Sequence, residues 1–195
     1  MTNQSKSRWS VQLIRIAMAA ALSATTFNVS YADGVFNKRI ISGEQGRSSY
    51  KSRTVSSDNG SARVKRRTAT SENGGSGYRR SVTRSDGEGN TYHRDTKAFA
   101  TAQGGSGYKT SESYRSADGS GYRTSNKSIN GANGGTFNAN KETTRSEGGE
   151  LSHNRTLSGQ TADGKNYETS LNIKNGTVTR SSSCTDSSGN SVECR

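Results

Sequence analysis

Large apolar residues recur along this chain at a near-constant interval. Tyr78, Tyr92, Tyr108, Tyr122, Phe137, Leu151 and Tyr167 are separated by 14, 16, 14, 15, 14 and 16 positions. The stretches between them are rich in Ser, Thr, Arg and Lys and lack the three-to-four-residue recurrence of a helix. Partial alternation is visible instead, and a period of two is the strand signal. In "YETSLNI" one strand face would hold Tyr167, Thr169, Leu171 and Ile173. In "LSHNRTL" it would hold Leu151, His153, Arg155 and Leu157, and in "YRRSVTRS" Tyr78, Arg80, Val82 and Arg84. The pattern predicts a sheet with one polar face and one weakly apolar face partly covered by arginine stems. The seven large residues are expected to form a ladder along one edge of that apolar face.

Turn residues keep the same beat. Near-identical segments, "GGSGYRRS", "GGSGYKTS" and "DGSGYRTS", begin at Gly74, Gly104 and Asp118. Asn59-Gly60, Asn73-Gly74, Asp86-Gly87, Asp118-Gly119, Asn133-Gly134, Asp163-Gly164 and Asn175-Gly176 are all Asx-Gly, with Gln103-Gly104 and Glu147-Gly148 filling the gaps. Asx-Gly is the strongest short-range hairpin signal, because a type I′ turn needs positive φ at both central residues. The expected fold is all-β: a repetitive β meander or β-solenoid with one strand per repeat of about 15 residues. One such unit cannot bury enough apolar surface to be stable alone, so many must stack.

Composition supplies the competing reading. Leu, Ile, Val and Phe together number 23 of 195 residues, and seven of those fall in the first 32. So few large apolar residues with a net charge of +12 also suit a largely disordered mature chain. The absence of proline points the other way, since proline cannot donate to a β ladder.

The first 32 residues read as a secretory signal peptide. Lys6, Arg8 and Arg15 form a basic start, "IAMAAALSATTF" a short apolar run, and Ser30-Tyr31-Ala32 a small-residue cleavage site. The apolar run is too short to span a bilayer. The chain is therefore expected to be exported, to a bacterial periplasm, cell surface or extracellular space. The remainder divides into an N-terminal cationic segment, 33–58, a β-repeat region, 59–180, and a C-terminal hairpin, 181–195. Cys184 and Cys194 flank Ser188-Gly189-Asn190. In an oxidising compartment they are expected to pair across that turn and cap the end, with an intermolecular disulfide as the alternative.

Removing the signal leaves +9, unevenly spread. From Asp33 to Thr110 there are 15 basic and 7 acidic residues; from Ser111 to Arg195 there are 10 and 9. An excess of this kind favours anionic partners. Arg63, Lys65, Arg66, Arg67, Arg79, Arg80 and Arg84, interleaved with Tyr78, are the candidate contacts for an anionic polymer such as extracellular DNA, lipopolysaccharide or acidic polysaccharide.

With its signal peptide, Gly/Ser/Asn-rich repeats, "DGSG", "NGG" and "SEGG" turns and lack of proline, the segment from Asn59 to Arg180 resembles secreted bacterial β-repeat proteins of the curli or functional-amyloid type. That resemblance implies self-assembly through stacked strands. The chain departs from the family in its strands, which carry Arg, Lys, Ser and Thr where the family stacks Gln and Asn. Stacked like charges would repel.

Catalytic constellations are not visible. The "GSGY" segments lack the spacing and the Gly-Lys-Ser/Thr of a phosphate-binding loop, and a dinucleotide fingerprint would need glycine where Thr124 stands. His93 and His153 lie mid-strand among polar residues, and Asp95 reads as a strand-surface neighbour of His93. Glu147 and Glu150 lie in a turn. Asp86 to Asn90 lacks the closing bidentate glutamate of a calcium loop. No cofactor or metal is expected. The chain reads as a non-enzymatic surface or extracellular-matrix scaffold or adhesion component, for which self-assembly through its strands is an option. The alternative is a monomeric cationic module for anionic polymers.

Overall fold

The computed structural model describes residues 34–194; the expected signal peptide lies outside them. The described chain is all-β. Its strands are β1 (Gly34–Gly43), β2 (Gly46–Ser57), β3 (Gly60–Ser71), β4 (Ser76–Asp86), β5 (Thr91–Ala100), β6 (Ser106–Arg115), β7 (Gly121–Asn130), β8 (Thr136–Arg145), β9 (Leu151–Gln160), β10 (Asn166–Lys174), β11 (Thr177–Thr185) and β12 (Ser191–Val192). They form one open sheet in chain order, each strand antiparallel to the next. Nearest-neighbour antiparallel order selects the meander over the solenoid. From the segment 33–58, β1 and β2 form the first two described strands of the sheet.

Seven consecutive connections, from β3–β4 to β9–β10, share one design. Each is a three-residue loop flanked by a residue pair such as Ser116 and Ser120, where Ser116 N donates to Ser120 O and Gly119 N donates to Ser116 O. Among the described residues Asn175 is the one non-glycine with positive φ. The loops are thus type I turns closed by a single left-handed glycine, with a bulge. Only Asn175-Gly176, with φ 49° and 81°, has the type I′ form expected throughout. The left-handed glycines fall at 74, 89, 104, 119, 134, 149 and 164, a strict interval of 15. Taking Asp86-Gly87 and Glu147-Gly148 as turn pairs hides that interval. The bends lie at Glu88-Gly89 and Gly148-Gly149 instead.

Gly131 opens one of these loops; in the other six the opening residue, at 71, 86, 101, 116, 146 and 161, is Ser, Thr or Asp. At 71, 86, 101, 146 and 161 its side chain caps the loop. Thr101 Oγ1 accepts from Gly105 N at 2.9 Å, and Asp86 Oδ1 accepts from Asn90 N at 2.8 Å.

No continuous hydrophobic core exists among the described residues: Ala139 is the one buried apolar side chain. The cause is visible in the register. Directly opposed residues share a face, and on that basis Val55, Val64, Val82 and Tyr92 lie on one face. Phe137, Leu157, Leu171 and Ile173 lie on the other. The apolar positions change sides partway along the sheet, so the single apolar face that was expected does not form. Cohesion comes from the ladders and from cross-strand pairs. Arg67 stacks over Tyr50 and Arg66 over Tyr78, at 5.3 and 5.4 Å from the ring centres. Phe99 and Tyr167 lie across the glycines opposite them, Gly107 and Gly159.

Candidate functional site

Strand residues alternate between faces, so the register assigns every strand charge to a side. On the face that carries Tyr50 and Arg67, five cations stand in one unbroken row on adjacent strands. Arg67 opposes Arg79, Arg79 opposes Lys97, Lys97 opposes Lys109, and Lys109 opposes Lys127. At about 4.8 Å per strand, the row runs about 19 Å across the sheet. Arg39, Arg63, Lys65, Arg115, Arg123, Lys141, Arg145, Arg155 and Arg180 share that face. Against these fourteen cations it holds one described acid, Asp95.

The opposite face is mixed. It carries nine strand cations, Lys38, Lys51, Arg66 and Arg80 in a shorter row over β1 to β4 with Arg47, Arg53, Arg84, Arg94 and Lys174 beside them, against four acids, Asp86, Glu112, Glu142 and Glu168. Most other described acids lie in the connections, at positions such as Glu72, Asp118, Glu147, Asp163 and Asp186. The near-neutral balance of the C-terminal half therefore conceals a polarised sheet. From β6 onward the cationic face bears Lys109, Arg115, Arg123, Lys127, Lys141, Arg145, Arg155 and Arg180 with no acid among the described residues.

Like charges directly opposed on neighbouring strands repel. At about 5 Å each adjacent pair costs roughly 1 kcal/mol in water. Among the described residues one close counter-charge relieves the row: Arg79 Nε donates to Asp95 Oδ2 at 2.9 Å. Over β2 to β5 the same face is concave. A groove of about 660 Å³ is lined by Tyr50, Arg63, Lys65, Arg67, Arg79 and His93, with serines and threonines between.

The structure divides the polymer-contact residues expected from the sequence. Arg63, Lys65, Arg67 and Arg79 meet in the groove, whereas Arg66, Arg80 and Arg84 lie on the opposite face. Lys97, Lys109 and Lys127, which complete the row, were missed. Their signal was the 12- and 18-residue spacing that antiparallel three-residue loops bring into line.

The aromatic ladder is divided too. Tyr78, Tyr92, Tyr108 and Tyr122 share the mixed face, but Tyr78 and Tyr108 lie at one end of the strands and Tyr92 and Tyr122 at the other. The contiguous row is Tyr92, Tyr114 and Tyr122 on β5, β6 and β7. Tyr114 and Tyr122 stack at 6.1 Å, and Tyr122 donates to Glu112 Oε1 at 2.9 Å. Burial, followed by the Glu112 carboxylate, pushes the Tyr92 and Tyr122 hydroxyls up. Phe137, Leu151 and Tyr167 lie on the cationic face.

His93 and His153 share a row, on β5 and β9. Each ring Nδ1 is hydrogen-bonded to a threonine, Thr83 at 2.9 Å and Thr143 at 2.8 Å. Among the described residues no group of three His, Cys, Asp or Glu side chains could hold a metal ion. No described helix is long and apolar enough to cross a membrane. Cys184 and Cys194 form the disulfide, beside the Cys184–Val192 pairing of β11 with β12. No protein-family model, curated protein or solved structure matches the chain.

Proposed function

We propose that this chain is an exported, non-enzymatic repeat scaffold that holds anionic polymers against one face of a single-layer sheet, at a cell surface or in an extracellular matrix. The observation that carries the reading is the charge asymmetry between the faces, above all the row from Arg67 to Lys127. A polyanion laid along the row would replace cation–cation repulsion with attraction and release its own counterions. Tyr50 and the serines and threonines of the groove offer stacking and hydrogen bonding beside the charge. The disulfide suits an oxidising compartment.

The test is binding of a DNA duplex, of lipopolysaccharide and of polygalacturonate across a salt series. Affinity should fall steeply with salt. Replacing Lys97, Lys109 and Lys127 by Gln together should lower the log–log slope for duplex DNA by roughly 2–3, whereas Lys174→Gln, on the mixed face, should leave it near wild type. A triple variant that binds like Lys174→Gln, or binding insensitive to salt, would sink the reading.

A further inference from the structure

The two long edges of the sheet differ in kind. On the β11 side, Thr177 to Ser183 is polar apart from Val178, and β12 with its disulfide covers the end. On the other side β1 is exposed along its whole length. Val35, Phe36, Ile40 and Ile41 are 63, 62, 44 and 51% exposed. A long, exposed, apolar edge is a template for another strand. Four of the ten exposed large hydrophobic residues among the described residues lie on this one edge strand, and the other six are spread over six strands, so the apolar edge needs an occupant.

The order of residues in β1 specifies which one. Val35-Phe36-Asn37-Lys38-Arg39-Ile40-Ile41 is a palindrome in polarity: two apolar residues, three polar or charged, two apolar. An antiparallel copy of the same strand, centred on Lys38, sets Val35 opposite Ile41 and Phe36 opposite Ile40, each twice. Sliding the copy by two residues either way puts apolar side chains opposite Lys38, Arg39, Asn37 or small residues instead. Self-complementarity of this kind is the signature of an isologous two-fold contact.

We infer that the protein dimerises through β1, antiparallel and centred on Lys38, to make one continuous sheet of twice the width. Side-by-side antiparallel pairing requires a two-fold axis normal to the sheet. Such an axis keeps both cationic faces on the same side. The contact opposes Lys38 to Lys38 of the second copy, extending the row Lys38–Lys51–Arg66–Arg80 on the mixed face. That repulsion is screened by salt, so dimerisation strengthens as salt rises. Polymer binding weakens over the same range, and the two therefore fail separately.

Sedimentation of the full chain, with its disulfide intact, tests the inference. A dimer is expected, tighter at high salt. Phe36→Lys and Ile40→Lys should each give a monomer with an unchanged strand signal in circular dichroism, while Val178→Lys on the other edge should stay dimeric. Register is read by cross-linking. Lys38→Cys should oxidise to a covalent dimer, and Arg39→Cys, which would face Asn37 of the second copy, should not. A wild-type monomer, a dimer that survives Phe36→Lys and Ile40→Lys, or dissociation by Val178→Lys would overturn it. Efficient cross-linking through Arg39→Cys in place of Lys38→Cys would overturn the register.

Discussion

Asp95 and Arg79 are partners on adjacent strands, offset by two positions from direct opposition. Arg79 donates through Nε and Nη2 to the same carboxylate oxygen of Asp95. The carboxylate side chain is only 12% exposed and that of Arg79 50%. Without it Arg79 would face Arg67 on one side and Lys97 on the other, both directly opposed. Asp95→Asn is therefore expected to lower stability by about 1 kcal/mol, a value reduced for the exposure of Arg79. The same change should tighten polyanion binding, since it removes the one described acid of that face. Urea unfolding and DNA affinity measured on the same variant check both directions; a variant that is weaker in both would contradict the assignment.

Acid should loosen the hairpins before the strands. The carboxylates of Asp86, Asp118, Asp163 and Asp186 are held below their usual 3.8. The leading cause is a hydrogen bond across the loop: from the Asn90, Ser120 and Thr161 side chains to the first three, and from Asn190 N–H to Asp186. A folded value below the unfolded one means that the stabilisation is present above about pH 4 and lost as pH falls through the lower folded value. Amide exchange at Glu88 and Asn90, whose N–H groups bond Asp86 Oδ1 at 3.0 and 2.8 Å, should accelerate below that pH. In Asp86→Ala it should be fast at every pH.

Two strand glycines should respond oppositely to alanine. A Cβ at Gly159 would run into Tyr167 and the Thr136 carbonyl, while a Cβ at Gly77 meets nothing within 4 Å. Gly159→Ala should cost about 1–3 kcal/mol through overpacking. Gly77→Ala should gain roughly 0.5–1 kcal/mol, because glycine weakens a strand interior. Thermal unfolding of the pair decides it. Equal shifts would mean that Tyr167 does not lie over Gly159.

Reduction of Cys184–Cys194 should be a local event. The bridge closes a separation of ten residues, worth about 2–3 kcal/mol in the chain-entropy model, and β12 touches only Cys184 and Thr185 of β11 by pairing. Exchange protection at Ser191 and Val192 should be lost while that of β9 and β10 persists. Global unfolding on reduction would show that the end cap holds the whole sheet.

Much of the fold was legible because its period is written in residues that have local jobs. Glycine must take the left-handed position of each loop, and the Ser, Thr or Asp that opens the loop must cap it. Both recur in sequence, although the Asx-Gly signal obscured the true position of two bends. The pairing of Cys184 with Cys194 was legible for the same reason, since a short turn between two cysteines is a local feature. The composition that also suited disorder did not decide the matter, because ladder hydrogen bonding does not depend on large apolar side chains.

The sequence by itself determined the all-β class, the beat of about 15 residues, most of the turn sites and the abundance of cations in the strands. Only the tertiary structure decided which side chains share a face, and loop length is the physical reason. A three-residue loop pairs positions of equal parity, as in Tyr92 with Tyr114; a two-residue loop pairs positions of opposite parity, as in Tyr50 with Arg67. From β4 to β10 residues 14 or 16 apart therefore keep the same face, and residues 15 apart change it. Tyr78, Tyr92, Tyr108 and Tyr122 stay together, and the single interval of 15, between Tyr122 and Phe137, carries the remaining apolar residues to the cationic side. The same arithmetic aligns Arg79, Lys97, Lys109 and Lys127, which no segment of sequence shows together. Charges scattered over sixty residues become a line because the hydrogen-bond register, not proximity along the chain, sets their neighbours.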